Sequence, residues 1–224
     1  MTEEQPTNPN LNPKEIVKAG YDKVSWAYRS DQPDGATYTK YEEWVNELKT
    51  LLPVGSAVLE LGCGSGVPAT QLLAESFKVV GVDISPVQLA RASQSVPQAQ
   101  FIESDMTTLD FAAASFDAIV SFYAIIHIPL EEQSALFERL VLWLKPGGYL
   151  LATVGSRAWT GTEDEWLNVP GGTMYWSHAD TQTYERWLVS NGLVIKWSRF
   201  VAEGNDGSGH SLILAYKPNL VTYK

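Results

Sequence analysis

The sequence predicts an α/β fold built on a mostly parallel sheet with helices on both faces. Three observations predict it. Short apolar runs alternate with helical segments from about residue 57 onward, a glycine-rich turn follows the first run, and the last two runs stand too close for a covering helix between them. Strands that read as near-continuous apolar stretches, each followed by a helix, belong to sheets buried on both sides. Ligands of such sheets sit outside the carboxyl ends of the strands, where strand order reverses.

The elements follow in order. Residues 1–13 are polar, carry Pro6, Pro9 and Pro13, and read as a disordered tail before one domain over 14–224. Residues 14–52 read as a helical cap. Ile16, Val17 and Val24 recur near helical spacing, Pro33-Asp34-Gly35 breaks the pattern, and Tyr41, Trp44, Val45 and Leu48 mark one face of a second helix. Ala57–Leu61 is the first strand, and a helix is expected over about Pro68–Ser76. Lys78–Asp83 is the second strand, after which Ser85 can cap a helix opened by Pro86. Ala99–Glu103 and Phe116–Ser121 are the third and fourth. Pro129 introduces a helix with Glu131 and Glu132 in its first turn and Lys145 at its end, a charge order that suits the helix dipole, and Pro146-Gly147-Gly148 stops it. Tyr149–Val154 is the fifth strand. Residues 155–179 are too long for a plain connection and read as a lid or acceptor-binding loop. A helix over about Asp180–Ser190 precedes strands at Leu193–Phe200 and Ser211–Tyr216. Only Val201–His210 joins those two, so the seventh strand is expected to be antiparallel.

Composition narrows the function. The 224 residues carry a net charge of −10, which argues against a phosphate-binding surface and a nucleic-acid partner. A single cysteine, Cys63, excludes an internal disulfide and fits a reducing compartment. No run approaches the roughly 18 apolar residues of a membrane span, and the first residues resemble no targeting peptide. A soluble cytoplasmic protein, monomer or homodimer, is expected. Residues 45–122 contain no Trp or Tyr, whereas five of the eight Trp lie between Trp159 and Trp197.

The most informative stretch is Glu60-Leu61-Gly62-Cys63-Gly64-Ser65-Gly66. Its glycines let the backbone turn sharply and approach a ligand without a Cβ in the way. The spacing is G-x-G-x-G, with Val67 where a dinucleotide fingerprint has its third glycine. Asp83 ends the second strand 21 residues after Gly62, where a carboxylate can accept from both hydroxyls of a ribose.

Together with Gly81-Val82-Asp83-Ile84-Ser85, Ser104-Asp105-Met106, Phe116-Asp117-Ala118-Ile119-Val120 and Leu144-Lys145-Pro146-Gly147-Gly148, this stretch resembles the class I, Rossmann-like S-adenosylmethionine-dependent methyltransferases. The resemblance covers about Tyr21 to the C-terminus. It implies a three-layer αβα fold with a seven-stranded sheet of order 3-2-1-4-5-7-6, strand 7 antiparallel. It also implies S-adenosyl-L-methionine as cofactor, with S-adenosyl-L-homocysteine as product and no metal. Glu60, Gly62, Cys63, Gly64 and Gly66 would line the methionyl half. Asp83 would hold the ribose, Ile84 pack on the adenine, Asp105 accept from the adenine amino group, and Met106 contact a ring nitrogen through its backbone. Ser121 and Phe122 would pass near the sulfonium. Tyr21-Asp22-Lys23-Val24-Ser25-Trp26-Ala27-Tyr28 matches a helix that closes over the cofactor, so Tyr21 and Tyr28 would contact it; core packing at helical spacing is the alternative for both.

The expected activity is methyl transfer to a small-molecule acceptor, with O-methylation placed ahead of N-methylation. A hydroxyl acceptor gains from a base, and the histidines are His127, His178 and His210. His127, in Tyr123-Ala124-Ile125-Ile126-His127-Ile128-Pro129, is the candidate base; anchoring the loop before Pro129 is its alternative role. Tyr123, Trp159, Trp176, His178 and His210 are the candidate acceptor-binding residues, the aromatics stacking on a flat or apolar acceptor. His178 lies beside Ser177 and Asp180, either of which can cap the next helix, and His210 can equally be a turn residue. Cys63 reads as a small filler of the glycine loop and Glu163-Asp164-Glu165 as a solvated surface. Two other chemistries use parts of the same pattern: a nicotinamide-dependent oxidoreductase, and an enzyme that binds S-adenosylmethionine but catalyses a non-transfer reaction such as cyclisation.

Overall fold

The structure, a computed structural model, describes residues 12–203 and 207–219. The tail expected over residues 1–13 falls outside these up to residue 11. Pro13 itself opens helix α1 (Pro13–Tyr28), whose N-cap Asn12 accepts from the Lys14 N–H. Helix α2 (Gly35–Leu51) follows, capped by Asp34, which accepts from Thr37. Then come β1 (Ala57–Leu61), α3 (Ala69–Ala74), β2 (Lys78–Asp83), α4 (Pro86–Ser95), β3 (Gln100–Glu103), β4 (Phe116–Ser121), α5 (Leu130–Trp143) and β5 (Leu144–Gly155). The chain closes with β6 (Trp159–Glu163), β7 (Met174–His178), α6 (Thr181–Ser190), β8 (Val194–Ala202) and β9 (Gly209–Tyr216).

Seven strands form one sheet in the order β3-β2-β1-β4-β5-β9-β8. Numbering those seven alone gives 3-2-1-4-5-7-6, and the last of them, β9, runs antiparallel to both of its neighbours. The alternation of the strands splits the core into two layers, because successive side chains leave opposite faces of a sheet. Leu59, Leu61, Ile119, Leu150 and Ile213 point to one face, where Leu136, Phe137, Leu140 and Trp143 of α5 and Tyr184 and Leu188 of α6 cover them. Val58, Val79, Ala118, Val120, Leu151 and Leu214 point to the other, under Trp44, Val45 and Leu48 of α2 and Leu72 and Leu73 of α3.

Three local expectations change. Helix α3 is shorter than the pattern suggested, covering Ala69–Ala74. Helix α5 ends at Trp143, so Lys145 is not in its last turn; β5 has already begun, and the Lys145 ammonium pairs with Asp117 at 2.8 Å. The connection 155–179 contains a two-stranded antiparallel sheet, with Trp159 opposite His178 and Gly161 opposite Trp176. Its turn carries Glu165, Leu167 and Asn168 at positive φ. The caps are as read: Ser85 accepts from Gln88 N–H, and Asp180 from Thr183 N–H. No helix among the described residues is long and apolar enough to cross a membrane.

Candidate active site

Strand order reverses between β1 and β4, and the site opens at their carboxyl ends. The glycine loop begins there. Gly62 takes φ +70°, and a Cβ on it would overlap the Ala124 methyl. Gly64 takes φ +57° and offers its N–H to Asp83 Oδ2 at 2.8 Å. Asp83 Oδ1 accepts from Ser85 N–H at 2.9 Å. The carboxylate is thereby fixed at the end of β2, with lone pairs left over for a ligand. Burial pushes the Asp83 pKa up to about 6, even though the backbone N–H groups act the other way.

Glu60 lies beneath the loop, 2% exposed, and its carboxyl accepts from the Thr70 hydroxyl at 2.6 Å. Burial raises its pKa to about 8. Burial likewise keeps the Cys63 thiol well above its usual range, so it stays protonated. A protonated thiol with no adjacent base has no nucleophilic role.

The cleft has about 660 Å³ of unfilled space, part of it open to solvent. Gly62, Gly64, Asp83, Ile84, Asp105 and Met106 line it from the sheet side, and Tyr21 and Tyr28 from helix α1. Glu60, Cys63 and Gly64 line its extension under the loop, together with Arg29 and Tyr41. Two residues named from the sequence stand behind this surface. Gly66 is buried at the root of the loop, and the fully buried Ser121 hydroxyl donates to the Leu61 carbonyl.

Helix α1 lies over the cleft and is tied to its far rim. The Lys14 ammonium meets Asp105 Oδ2 at 2.8 Å, the Thr107 hydroxyl at 2.7 Å and Glu132 Oε2 at 2.5 Å. At the other end of the helix, Arg91 of α4 donates to the carbonyls of Ser25 and Arg29, both at 2.6 Å. Its guanidinium also lies 3.7 Å from the Trp26 ring centroid.

A second chamber, with about 710 Å³ of unfilled space, adjoins the cleft. Tyr21, Tyr28, Tyr123 and His127 line both spaces. Arg29, Lys40, Ile126, Trp166, Trp176, Glu203 and His210 complete the chamber wall. Trp159 and His178 do not line it. Trp159 stacks behind Trp176 with centroids 6.1 Å apart, and His178 Nδ1 donates to the Arg157 carbonyl at 2.6 Å.

Tyr123 carries φ +58°, a conformation a bulky side chain adopts only where its surroundings impose it. Its N–H donates to the Thr153 hydroxyl, which holds the ring at the junction of cleft and chamber. His127 is buried, with Nδ1 2.6 Å from the Tyr175 carbonyl and Nε2 2.9 Å from the Tyr21 hydroxyl. A carbonyl only accepts, so the proton is assigned to Nδ1, and Nε2 accepts from Tyr21. Burial lowers the His127 pKa to about 4, and the ring is neutral at physiological pH.

Lys14, Arg29, Lys40 and Glu203 were not named from the sequence. Lys40 stands four residues before Trp44 and so on the same helical face, which is the one local signal for any of them.

The chain matches known proteins over part or most of its length. A family profile described as "Methyltransferase domain" matches residues 58–148. A 2-methyl-6-phytyl-1,4-hydroquinone methyltransferase of Synechocystis is 37% identical over 105 residues, 45% of this chain and 32% of that protein. A trans-aconitate 2-methyltransferase of Variovorax paradoxus is 40% identical over 124 residues, 51% of this chain and 47% of that protein. The matched stretch thus spans between a third and a half of those relatives' length. Among solved structures, the magnesium protoporphyrin IX methyltransferase of Synechocystis superposes with a TM-score of 0.70 at 20% identity, covering 94% of this chain and all of that one. The [4+2]-cyclase SpnF superposes equally well, at 19% identity over 91% of this chain and 97% of that one. Identities this low establish the shared fold. With the ordered glycine loop, the acidic residue ending β2 and the matched methyltransferase domain at residues 58–148, the chain has the fold of the class I, Rossmann-like S-adenosylmethionine-dependent methyltransferases.

Proposed function

We propose that the protein binds S-adenosyl-L-methionine in the cleft and transfers its methyl group to a small molecule in the adjoining chamber, with a hydroxyl as the favoured acceptor group. The observation that carries this is the shared wall: Tyr21, Tyr28, Tyr123 and His127 border both spaces, so a donor in one and an acceptor in the other come face to face.

The residues present fit the cofactor. The bare backbone at Gly62 makes a cradle that a Cβ would fill. Asp83 would hold the ribose hydroxyls, Ile84 and Met106 would contact the adenine, and Asp105 would accept from its amino group; all four line the cleft. Glu60 and Arg29 border the loop extension, the carboxyl suited to the ammonium of the methionyl end, which would favour its ionised form, and the guanidinium to the carboxylate. When bound, the cofactor supplies a methyl group already activated on a positively charged sulfur.

The chain's own contribution is positioning and proton handling. Tyr21 and Tyr123 fix where the acceptor meets the cleft, and holding reactants at near-attack distance supplies much of the rate. Tyr21 and His127 form a relay. As the acceptor oxygen gains the methyl group, its proton passes to the Tyr21 oxygen, and the Tyr21 proton passes to His127 Nε2. Nδ1–H stays on the Tyr175 carbonyl and stabilises the imidazolium. The proton then leaves to solvent. His178 and Trp159 act from behind, by setting the position of Trp176. O-methylation stands ahead of N-methylation because this relay removes a proton from the acceptor. The trans-aconitate and hydroquinone relatives are consistent with a small organic acceptor.

The test is a transfer assay with methyl-labelled donor and a pool of small metabolites. Label on a small organic molecule, lost in Tyr21→Phe with His127→Gln, supports this function. Cofactor consumption with product that lacks the methyl mass would favour a non-transfer reaction instead.

A further inference from the structure

The chamber's charges are unevenly matched. Glu203 Oε2 lies 3.1 Å from His210 Nδ1, an ion-pair contact out of line for a hydrogen bond, and the carboxylate also accepts from the Tyr123 hydroxyl. Those partners hold its pKa below the usual range, so the chamber's carboxylate is satisfied. Lys40 differs. Its ammonium donates to the Tyr123 hydroxyl at 3.1 Å and lies 5.4 Å from the Trp44 ring and 5.1 Å from the Tyr123 ring. Among the described residues no carboxylate stands within ion-pair distance of it. Its hydrogen-bond and ring partners are neutral, and Glu203 acts on it only from beyond ion-pair distance; a half-buried cation of this kind is stabilised by an arriving anion more than a solvated one is. Desolvation already lowers its pKa.

Arg29 lines both the glycine-loop extension and the chamber and is assigned above to the cofactor's carboxylate, so Lys40 is the chamber cation left to meet an acceptor. Its place is also informative. Lys40 borders both the chamber and an outer groove lined by Trp44, Glu47 and Phe200, whereas His127 borders the chamber and the cleft. The cation is therefore at the outer end and the Tyr21–His127 pair at the inner end. Tyr28, Trp166 and Trp176 line the same chamber, with Trp166 next to Tyr21 and Trp176 next to His127. Trp166 and Trp176 meet edge to face at 5.4 Å, and Tyr28 lies 5.4 Å from Trp166.

We propose that the acceptor is a planar, hydroxyl-bearing carboxylic acid, with its carboxylate held by Lys40, its flat body against Trp166 and Trp176, and its hydroxyl directed to Tyr21 and His127. This rests on the transfer function proposed above and adds the acceptor's class and orientation. The carboxylate replaces water at the ammonium with a charge-assisted hydrogen bond, and the ring replaces water at the aromatic wall. A cationic amine meets a carboxylate already committed to His210 and Tyr123, and the facing charge of Lys40.

The experiment is calorimetric titration of the S-adenosylhomocysteine-saturated protein with three probes that share one ring: 4-hydroxybenzoate, 4-hydroxybenzamide and 4-(aminomethyl)phenol. The acid should bind about tenfold or more tightly than the amide, the scale of one charge-assisted hydrogen bond. Lys40→Met should bring acid and amide within about twofold of each other, and Lys40→Arg should keep most of the preference. S-adenosylhomocysteine affinity should stay unchanged in both variants. Equal binding of acid and amide, tighter binding of the amine, an undiminished acid preference in Lys40→Met, or binding of none of the three would overturn the proposal. Failure to bind S-adenosylhomocysteine would instead strike at the transfer function itself.

Discussion

The Tyr21 hydroxyl donates to His127 Nε2 at 2.9 Å, joining the helical cap to the turn that follows β4. Both ring nitrogens of His127 are engaged, since Nδ1 is held by the Tyr175 carbonyl. One ring thus ties together α1, the β4–α5 connection and β7. Tyr21→Phe removes the donor and leaves the ring in place. It should cost about 1 kcal/mol of stability, the net worth of one hydrogen bond. Chemical denaturation measures this, and ¹⁵N spectra of the imidazoles should show His127 Nε2 shifting in the variant while Nδ1 stays protonated.

The pH dependence of stability has a sign set by His127. Its pKa falls from 6.5 to about 4 on folding. Between those values the unfolded chain binds more protons, so this contribution to stability is full above about pH 6.5 and is lost as pH falls toward 4. The span corresponds to about 3 kcal/mol. His127→Gln should flatten this acid limb in urea titrations between pH 7 and pH 4.5.

Glu60 acts in the opposite sense. Its pKa rises from 4.5 to about 8 on folding, so the folded state binds more protons between those values and the cofactor-free protein loses this contribution to stability as pH rises from about 4.5 to about 8. Glu60→Gln keeps an acceptor for Thr70 and removes that charge. It should raise the melting temperature of the cofactor-free protein at pH 8.5 while weakening S-adenosylhomocysteine about tenfold or more, because a charged partner of the ligand's ammonium is gone. A gain of stability at the cost of binding is expected where a buried charge serves function.

Much of this architecture is legible in sequence because it is local. The apolar runs at Ala57–Leu61, Lys78–Asp83 and Phe116–Ser121 name their own strands, and Asp83 and the glycine loop lie within a few residues of a strand end. The β6–β7 sheet is not legible in the same way. Trp159, Thr160 and Glu163 of β6 are exposed, so the strand lacks the apolar alternation that a buried face imposes. Lys145 misled for a related reason: next to Pro-Gly-Gly it looks like a helix end, but its partner, Asp117, is 28 residues away in sequence. Lys14 and Arg29 at the two ends of α1, Lys40 of α2 and Glu203 after β8 come from three segments that only tertiary packing brings to the site. Among the sequence-named residues, Trp159, His178 and Ser121 fall one layer behind the surfaces, since spacing places a residue near a strand end without setting which way its side chain faces.

Lys14 makes a separate prediction about the cap. Its side chain is 18% exposed and bridges Asp105 and Glu132. Lys14→Met should cost no more than about 1 kcal/mol of stability, as for a partly exposed ion pair. It should speed amide exchange along Ile16–Tyr28 and raise the S-adenosylhomocysteine dissociation rate several-fold, with the salt dependence of that rate diminished. Hydrogen exchange and stopped-flow release measure both.

The central claim is that the cleft between the glycine loop, Asp83 and helix α1 is an S-adenosylmethionine site. Calorimetric titration with S-adenosylhomocysteine tests it most directly. One ligand should bind per chain, with affinity sharply reduced in Asp83→Ala. Absence of binding at millimolar ligand, or saturable binding of a nicotinamide dinucleotide in its place, would contradict the account.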